Sequence, residues 1–134
     1  MKAEIVTSGK RKASKASAAI IAGSGKITVN GNPYARLSIF RRLSIEEPIN
    51  IAREVLGNTD FDIWVTMHGG GKEGQVEAAR LAIARAIVKF SKSDTLKKTF
   101  SLYDKSLMIA DVRRKEAYKP GDSKARSKRQ KSYR

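Results

Sequence analysis

Residues able to do covalent chemistry are scarce in this chain, and their types exclude most catalytic mechanisms. Cysteine is absent, so disulfides, thiolate metal sites and a thiol nucleophile are excluded, and a single histidine, His68, excludes a metal site built on paired imidazoles. His68 has no serine or carboxylate at triad spacing, so a structural or RNA-adjacent imidazole is expected. The acidic residues fall mostly at expected helix starts or in loops, and no two of them share a plausible cleft as an acid–base pair. Two signals remain, a glycine-rich turn and clustered Lys and Arg.

The turn is Gly69-Gly70-Gly71-Lys72-Glu73-Gly74, which contains a literal G-x-G-x-x-G between an expected strand and an expected helix. In a dinucleotide-binding protein such a turn cradles a pyrophosphate on backbone amides. That reading also needs an acidic residue closing a second parallel strand about 20 residues on. Asp94 instead follows a long helical pattern and the polar run Ser91-Lys92-Ser93, and the chain has no room for the second half of such a fold. The plainer reading is a strand-to-helix turn in which Gly70 and Gly71 need positive φ or admit close backbone approach to RNA phosphate, with Lys72 beside them.

The basic residues point the same way. Of 134 residues, 28 are Lys or Arg and 13 Asp or Glu, a net charge of +15 and a pI near 10.3. Residues 27–112 are nearly balanced, whereas 1–26 carry a net +5 and the last 22 residues a net +8. Basic arms on a balanced body indicate a polyanion, because neutralising phosphates releases condensed counterions. The first cluster is Lys10, Arg11, Lys12 and Lys15; the second runs from Arg113 and Arg114 through Lys124, Arg126, Lys128, Arg129 and Lys131 to Tyr133 and Arg134. Small polar spacers in this tail suit an extended chain threading RNA grooves, where arginine forks onto phosphate or stacks on bases. No apolar run approaches the ~18 residues of a membrane span, and the first 15 residues lack an apolar signal core, so a soluble intracellular protein is expected.

The elements that must position these residues are legible in outline. Ala3–Thr7, Ala18–Ala22 and Lys26–Val29 read as strands, with a break at Ser8–Lys15 and a tight turn at Asn30-Gly31. Pro33 suits a helix start. Ile45, Ile49, Ala52 and Leu56 lie at helical spacing up to Gly57, and that helix could begin either at a Ser44/Glu47 capping box or at Pro48. Phe61–Met67 alternates as a strand with Trp64 on its other face, where packing in the core is expected more than contact with nucleic acid. Lys72–Phe90 is the clearest helix, with Val76, Ala79, Ile83, Ala86, Ile87 and Phe90 in one stripe and acids first, bases last. A shorter helix is expected over Thr95–Tyr103. A globular domain over 1–112 and an extended basic tail over 113–134 follow, with Asp122–Arg134 disordered when free.

Read in order, these segments resemble the small-subunit ribosomal protein nine family of the archaeal and eukaryotic type, over nearly the whole chain. The motifs are Gly9-Lys10-Arg11-Lys12-Ala13-Ser14, Gly23-Ser24-Gly25-Lys26-Ile27-Thr28-Val29-Asn30-Gly31-Asn32-Pro33, and Glu47-Pro48. The most specific is Gly69-Gly70-Gly71-Lys72-Glu73-Gly74-Gln75 continued by Ala78, Ala82, Ala84, Arg85, Ala86 and Ile87; Lys131-Ser132-Tyr133-Arg134 matches the family terminus. The resemblance implies an α+β domain with helices on one face of a four-stranded mixed sheet, including a left-handed βαβ crossover that the usual right-handed rule would not suggest. It implies a non-enzymatic, cofactor-free constituent of the small ribosomal subunit, cytoplasmic and bound to ribosomal RNA in the subunit head beside neighbouring head proteins. Lys10, Arg11, Lys12, Lys15, Gly70, Gly71, Lys72, Arg113, Arg114, Lys124, Arg126, Lys128 and Arg129 are the expected rRNA contacts. Lys131, Tyr133 and Arg134 are the expected contacts to peptidyl-site tRNA. A nucleotide-binding enzyme using the glycine turn, a free nucleic-acid chaperone and a protein drawn to anionic lipid are the competing readings.

Overall fold

A computed structural model describes residues 4–118 together with Pro120 and Tyr133. The chain begins with a hairpin of β1 (Ile5–Arg11) and β2 (Ser14–Ala22), paired antiparallel from Ile5↔Ile20 to Arg11↔Ser14. The expected break at Ser8–Lys15 is therefore wrong: both strands run on to a two-residue loop in which Lys12 takes a φ of 54°. Neither Lys12 nor Ala13 is a favoured turn former, which is why composition suggested a loop instead.

Next come β3 (Ile27–Val29), β4 (Asn32–Pro33), a single 3-10 turn over Tyr34–Arg36, and α1 (Ile39–Leu56). The Asn30-Gly31 turn forms as expected, with φ of 49° and 80°. Its return arm is the short β4, so the sheet has five strands in the order β1-β2-β5-β3-β4, not four. Pro33 ends that arm and caps the 3-10 turn over Tyr34–Arg36, so the helix it starts is a single turn separate from α1. Neither expected start of the next helix is used, because α1 is continuous from Ile39 and carries Pro48 in its interior. Proline has no N–H to bond the turn before it, a cost offset here by full burial of the ring in the core. Gly57 closes α1 in the left-handed region at φ 76°.

β5 (Phe61–His68) enters the middle of the sheet, antiparallel to β2 and parallel to β3, so β3, α1 and β5 form a parallel crossover in a mixed sheet. α2 (Lys72–Ser91) and α3 (Asp94–Tyr103) follow, the latter capped by the Ser93 hydroxyl accepting from the Leu96 amide at 3.2 Å. Ala16, Ala18, Ile20, Phe61, Ile63 and Val65 point from the sheet into a core completed by α1, α2 and α3. Helices thus cover one face of the sheet, as expected.

α2 is the centre of the molecule. Its small residues Ala78, Ala79, Ala82, Ala84 and Ala86 are all buried, so the helix lies close on the sheet while α1 and α3 cover its outer side. Polar contacts fix its register along β1. The Thr7 hydroxyl donates to the Ala82 carbonyl at 2.7 Å, Arg85 Nη1 donates to the Ser8 carbonyl at 3.0 Å, and Arg11 Nε meets Glu77 at 2.6 Å. On the other side Arg80 joins Glu47 of α1 at 2.6 Å and Asp104 at 3.1 Å, and the Tyr103 hydroxyl donates to Glu47. That bond to a carboxylate pushes the Tyr103 hydroxyl above its ordinary pKa.

Candidate nucleic-acid interface

The β1–β2 hairpin tip, the glycine turn and residues 113–115 are far apart in sequence but meet at one end of the molecule. They line a groove of about 680 Å³ formed by Lys12, Ala13, Ser14, Gly70, Gly71, Gly74, Arg114 and Lys115, with Arg11, Glu73 and Glu77 along its wall. Five of the residues expected to touch RNA, Arg11, Lys12, Gly70, Gly71 and Arg114, are therefore brought together. Lys72 begins α2 beside them, and Lys10 and Lys15 pair across the hairpin, both exposed.

The glycines build this junction by approaching protein. Gly69 and Gly70 have φ of 75° and 59°, and a β-carbon on Gly70 would fall on the Ser14 hydroxyl and 3.1 Å from the Ser14 amide. A β-carbon on Gly74 would stand 2.7 Å from the same hydroxyl, and one on Gly69 2.6 Å from the Ala13 carbonyl. Ser14 is buried in this seat. Gly71 lacks the positive φ expected of it: its φ is −96°, and no protein atom lies within 4 Å of a β-carbon there. Gln75 holds the turn by donating from Nε2 to the Gly69 carbonyl at 3.0 Å. The turn is thus filled by the hairpin tip, and the chain leaves α2 into α3, with no second parallel strand after it among the described residues. Both features depart from a dinucleotide cradle.

Charge in the groove is positive because its acids are already taken. Glu77 is paired with Arg11, and Glu73 with Arg41 of α1 at 2.7 Å. Lys12, Arg114 and Lys115 are exposed above them, next to an N-terminus of α2 that no side chain caps. Free amides at a helix N-terminus together with nearby ammonium and guanidinium groups suit phosphate oxygens.

Arg11 and Arg113 are placed differently from the lysines. Arg11 is largely enclosed, with Glu77 at 2.6 Å and Asp111 at 3.5 Å, so its guanidinium ties the hairpin to α2 and to the chain after α3. Arg113 forks onto Asp111, with Nη2 at 2.7 Å, and its backbone amide donates to the same carboxylate at 2.9 Å. These bonds, with Arg11 nearby, hold the Asp111 carboxyl well below the usual carboxylate range and raise Arg113. Arg114 Nη1 donates to the Asp111 and Arg113 carbonyls, which orders the turn that aims residues 113–115 at the groove. Ser14, Gly74, Gln75, Glu77, Asp111 and Lys115 were assigned no contact at this site from sequence, although Ser14, Gly74 and Gln75 stand within the motifs quoted above.

Trp64 is 45% exposed on the sheet face away from the helices, so the expectation of core packing is overturned. Ala19, Ser8, Ser17, Thr28 and Thr66 surround it on that face, and the core lies on the other. His68 is exposed at the end of β5, and no group of acids and histidine able to hold a metal occurs among the described residues. No helix there is long and apolar enough to cross a membrane. Lys124, Arg126, Lys128, Arg129, Lys131 and Arg134 lie outside the described residues; Tyr133 is exposed.

Comparison with known proteins gives one consistent result. The family model described as ribosomal protein S9/S16 matches residues 9–134. The chain is 43% identical over 131 residues to small ribosomal subunit protein uS9 of Thermoplasma volcanium, covering 97% of this chain and 98% of that one. It is 44% identical over 131 residues to the uS9 protein of Picrophilus torridus, covering 97% of each, and 40% identical to that of Methanococcus vannielii, covering 96% of each.

Proposed function

This chain belongs to the ribosomal protein S9/S16 family, and from that premise we propose that it is a structural, non-enzymatic constituent of the small ribosomal subunit. Its body, residues 1–112, seats on ribosomal RNA through the groove and the exposed lysines around it. The segment 113–134 continues from the groove as a basic tail along RNA, with neighbouring subunit proteins adjoining the body. The protein acts in the cytoplasm as part of the ribosome.

The observation that carries this reading is the convergence of Lys12, Arg114 and Lys115 on one groove, with Lys72 at the start of α2 beside it, whose acids, Glu73 and Glu77, are each paired with arginine. Neutralised acids leave a surface that attracts phosphate without having to repel it first. Such contacts read no bases and position the protein on a folded RNA. In the tail, Lys124, Arg126, Lys128 and Arg129 serve as rRNA anchors. Lys131, Tyr133 and Arg134 reach the tRNA in the peptidyl site of the subunit head, since the 13 residues from Asp122 span roughly 40 Å when extended. Phosphate contacts make that service alike for every tRNA.

Titration of the purified protein with small-subunit rRNA and, separately, with ATP and NAD tests the reading. Tight, salt-sensitive rRNA binding without saturable nucleotide binding is expected. Saturable binding of either nucleotide, or rRNA affinity no greater than for unrelated RNA, contradicts it.

A further inference from the structure

The second face of the sheet carries an ordered set of side chains that the groove does not use. The strand register places them in rows. Val6, Ala19, Trp64, Thr28 and Pro33 form one row across all five strands; Ser8, Ser17 and Thr66 form the next; Lys10, Lys15 and His68 form the one beyond. None of these residues is buried. Trp64 has only Ala19 and Thr28 directly beside it on the neighbouring strands, so no large side chain flanks it there and its ring, 45% exposed, is open to a planar partner. In the row on the other side, where Ile21 stands opposite Asp62, that carboxylate is occupied: its Oδ1 accepts from the Ser24 amide at 2.9 Å and the Lys26 amide at 2.8 Å. The face therefore grades from an aromatic centre through hydroxyls to a cationic edge.

We infer that this open face is a second RNA-docking surface, on which a nucleobase stacks on Trp64 while its backbone crosses the Ser8–Ser17–Thr66 row toward Lys10 and Lys15. The inference rests on the ribosomal reading above and adds to it a base contact on the face opposite the helices. Strand rise sets the geometry. Successive rows lie about 7 Å apart, so the hydroxyls stand under the ribose and phosphate of a base on Trp64, and the lysine row lies about 13 Å away, within reach of the adjoining phosphate. Aromatic rings on an exposed sheet hold unpaired bases in this way, and hydroxyls suit phosphate oxygens and 2′-OH groups. A partner protein is the less fitting occupant, because beyond Val6, Trp64 and the edge Pro33 the three rows hold only small, hydroxyl-bearing or basic side chains.

Trp64 is the sole tryptophan, so its emission reports directly on this face. The full chain is titrated with a small-subunit rRNA transcript while binding is followed independently by filter retention. Quenching of Trp64 with the same midpoint as retention is expected. Trp64→Phe should bind within about threefold of the parent, whereas Trp64→Leu and Trp64→Ala should each bind roughly 5- to 100-fold more weakly, all three with the circular dichroism and melting of the parent. Retention without quenching overturns this inference and leaves the groove reading standing; absence of retention overturns both. Equal affinity of Trp64→Leu and Trp64→Phe would show an apolar contact, not stacking, and also overturns it.

Discussion

Gly9 of β1 lies directly against Ala78 of α2. A β-carbon on Gly9 would fall on the Ala78 carbonyl oxygen and within 3.0 Å of the Ala82 amide nitrogen, both rigid helix backbone. This approach lets the hairpin run flush along α2, and it carries the Lys12 tip to the glycine turn at the head of the helix.

Gly9→Ala should accordingly be the most damaging single-methyl change in the body, destabilising by about 1–3 kcal/mol or more, because neither backbone can yield as a side chain would. Gly70→Ala should cost about 1 kcal/mol or more through its φ of 59° and the buried Ser14. Gly71→Ala, extended and uncrowded, should cost distinctly less. Thermal melts of the three variants check the order, and a Gly71→Ala loss equal to that of Gly70→Ala would contradict it.

Arg11 and Lys12 are neighbours with separable roles. Lys12→Ala should leave the melting temperature unchanged and flatten the log–log salt dependence of rRNA binding by about 0.7–0.9. Arg11→Ala should lower stability, since it leaves Glu77 without its partner and Asp111 held by Arg113 alone, and should alter the slope less. Binding isotherms at several salt concentrations, paired with melts, distinguish the two.

Asp111 supplies a pH signature. Its folded-state proton affinity is depressed, first by the Arg113 side chain and then by the Arg113 amide. Its contribution to docking residues 111–114 is therefore complete above the ordinary aspartate pKa of about 3.9 and is lost as pH falls through the lower folded value. In a carboxyl NMR titration Asp111 should remain ionised at pH of about 3, where an unperturbed aspartate is mostly protonated. Asp111→Asn should remove that part of the acid dependence and release the Arg113 fork.

Truncation of Lys131–Arg134 tests the tail. The body should melt as before, since the core among the described residues is kept whole, and subunit incorporation should persist. Binding of several tRNAs to subunits carrying the truncation should weaken by about 1–3 kcal/mol, equally for all. Unchanged affinity would confine the tail to rRNA.

Much of the fold was legible because its strongest signals are periodic. The alternation in Phe61–Met67 and the stripe from Val76 to Phe90 specified β5 and α2 almost to the residue. What failed was set by contacts distant in sequence. Lys12-Ala13 turns the chain although neither residue favours a turn, because β1 and β2 both need pairing as far as Arg11↔Ser14. Pro48 sits inside α1 because its burial outweighs one missing hydrogen bond. At the site, basic clusters and glycines were visible, but the division of labour was not. That Arg11 is held inside while Lys12 faces out depends on Glu77 and Asp111, 66 and 100 positions away.

On the function proposed above, this chain resides in the small ribosomal subunit, held by its basic groove. Sucrose-gradient sedimentation of lysate from cells expressing a tagged copy tests it most directly. The protein should migrate with small subunits and stay there at moderate salt, and a variant with Lys12, Lys72, Arg114 and Lys115 changed to alanine should shift toward the top of the gradient with its fold intact. A parent protein found free at the top, or a groove variant that remains with subunits as firmly as the parent, would contradict it.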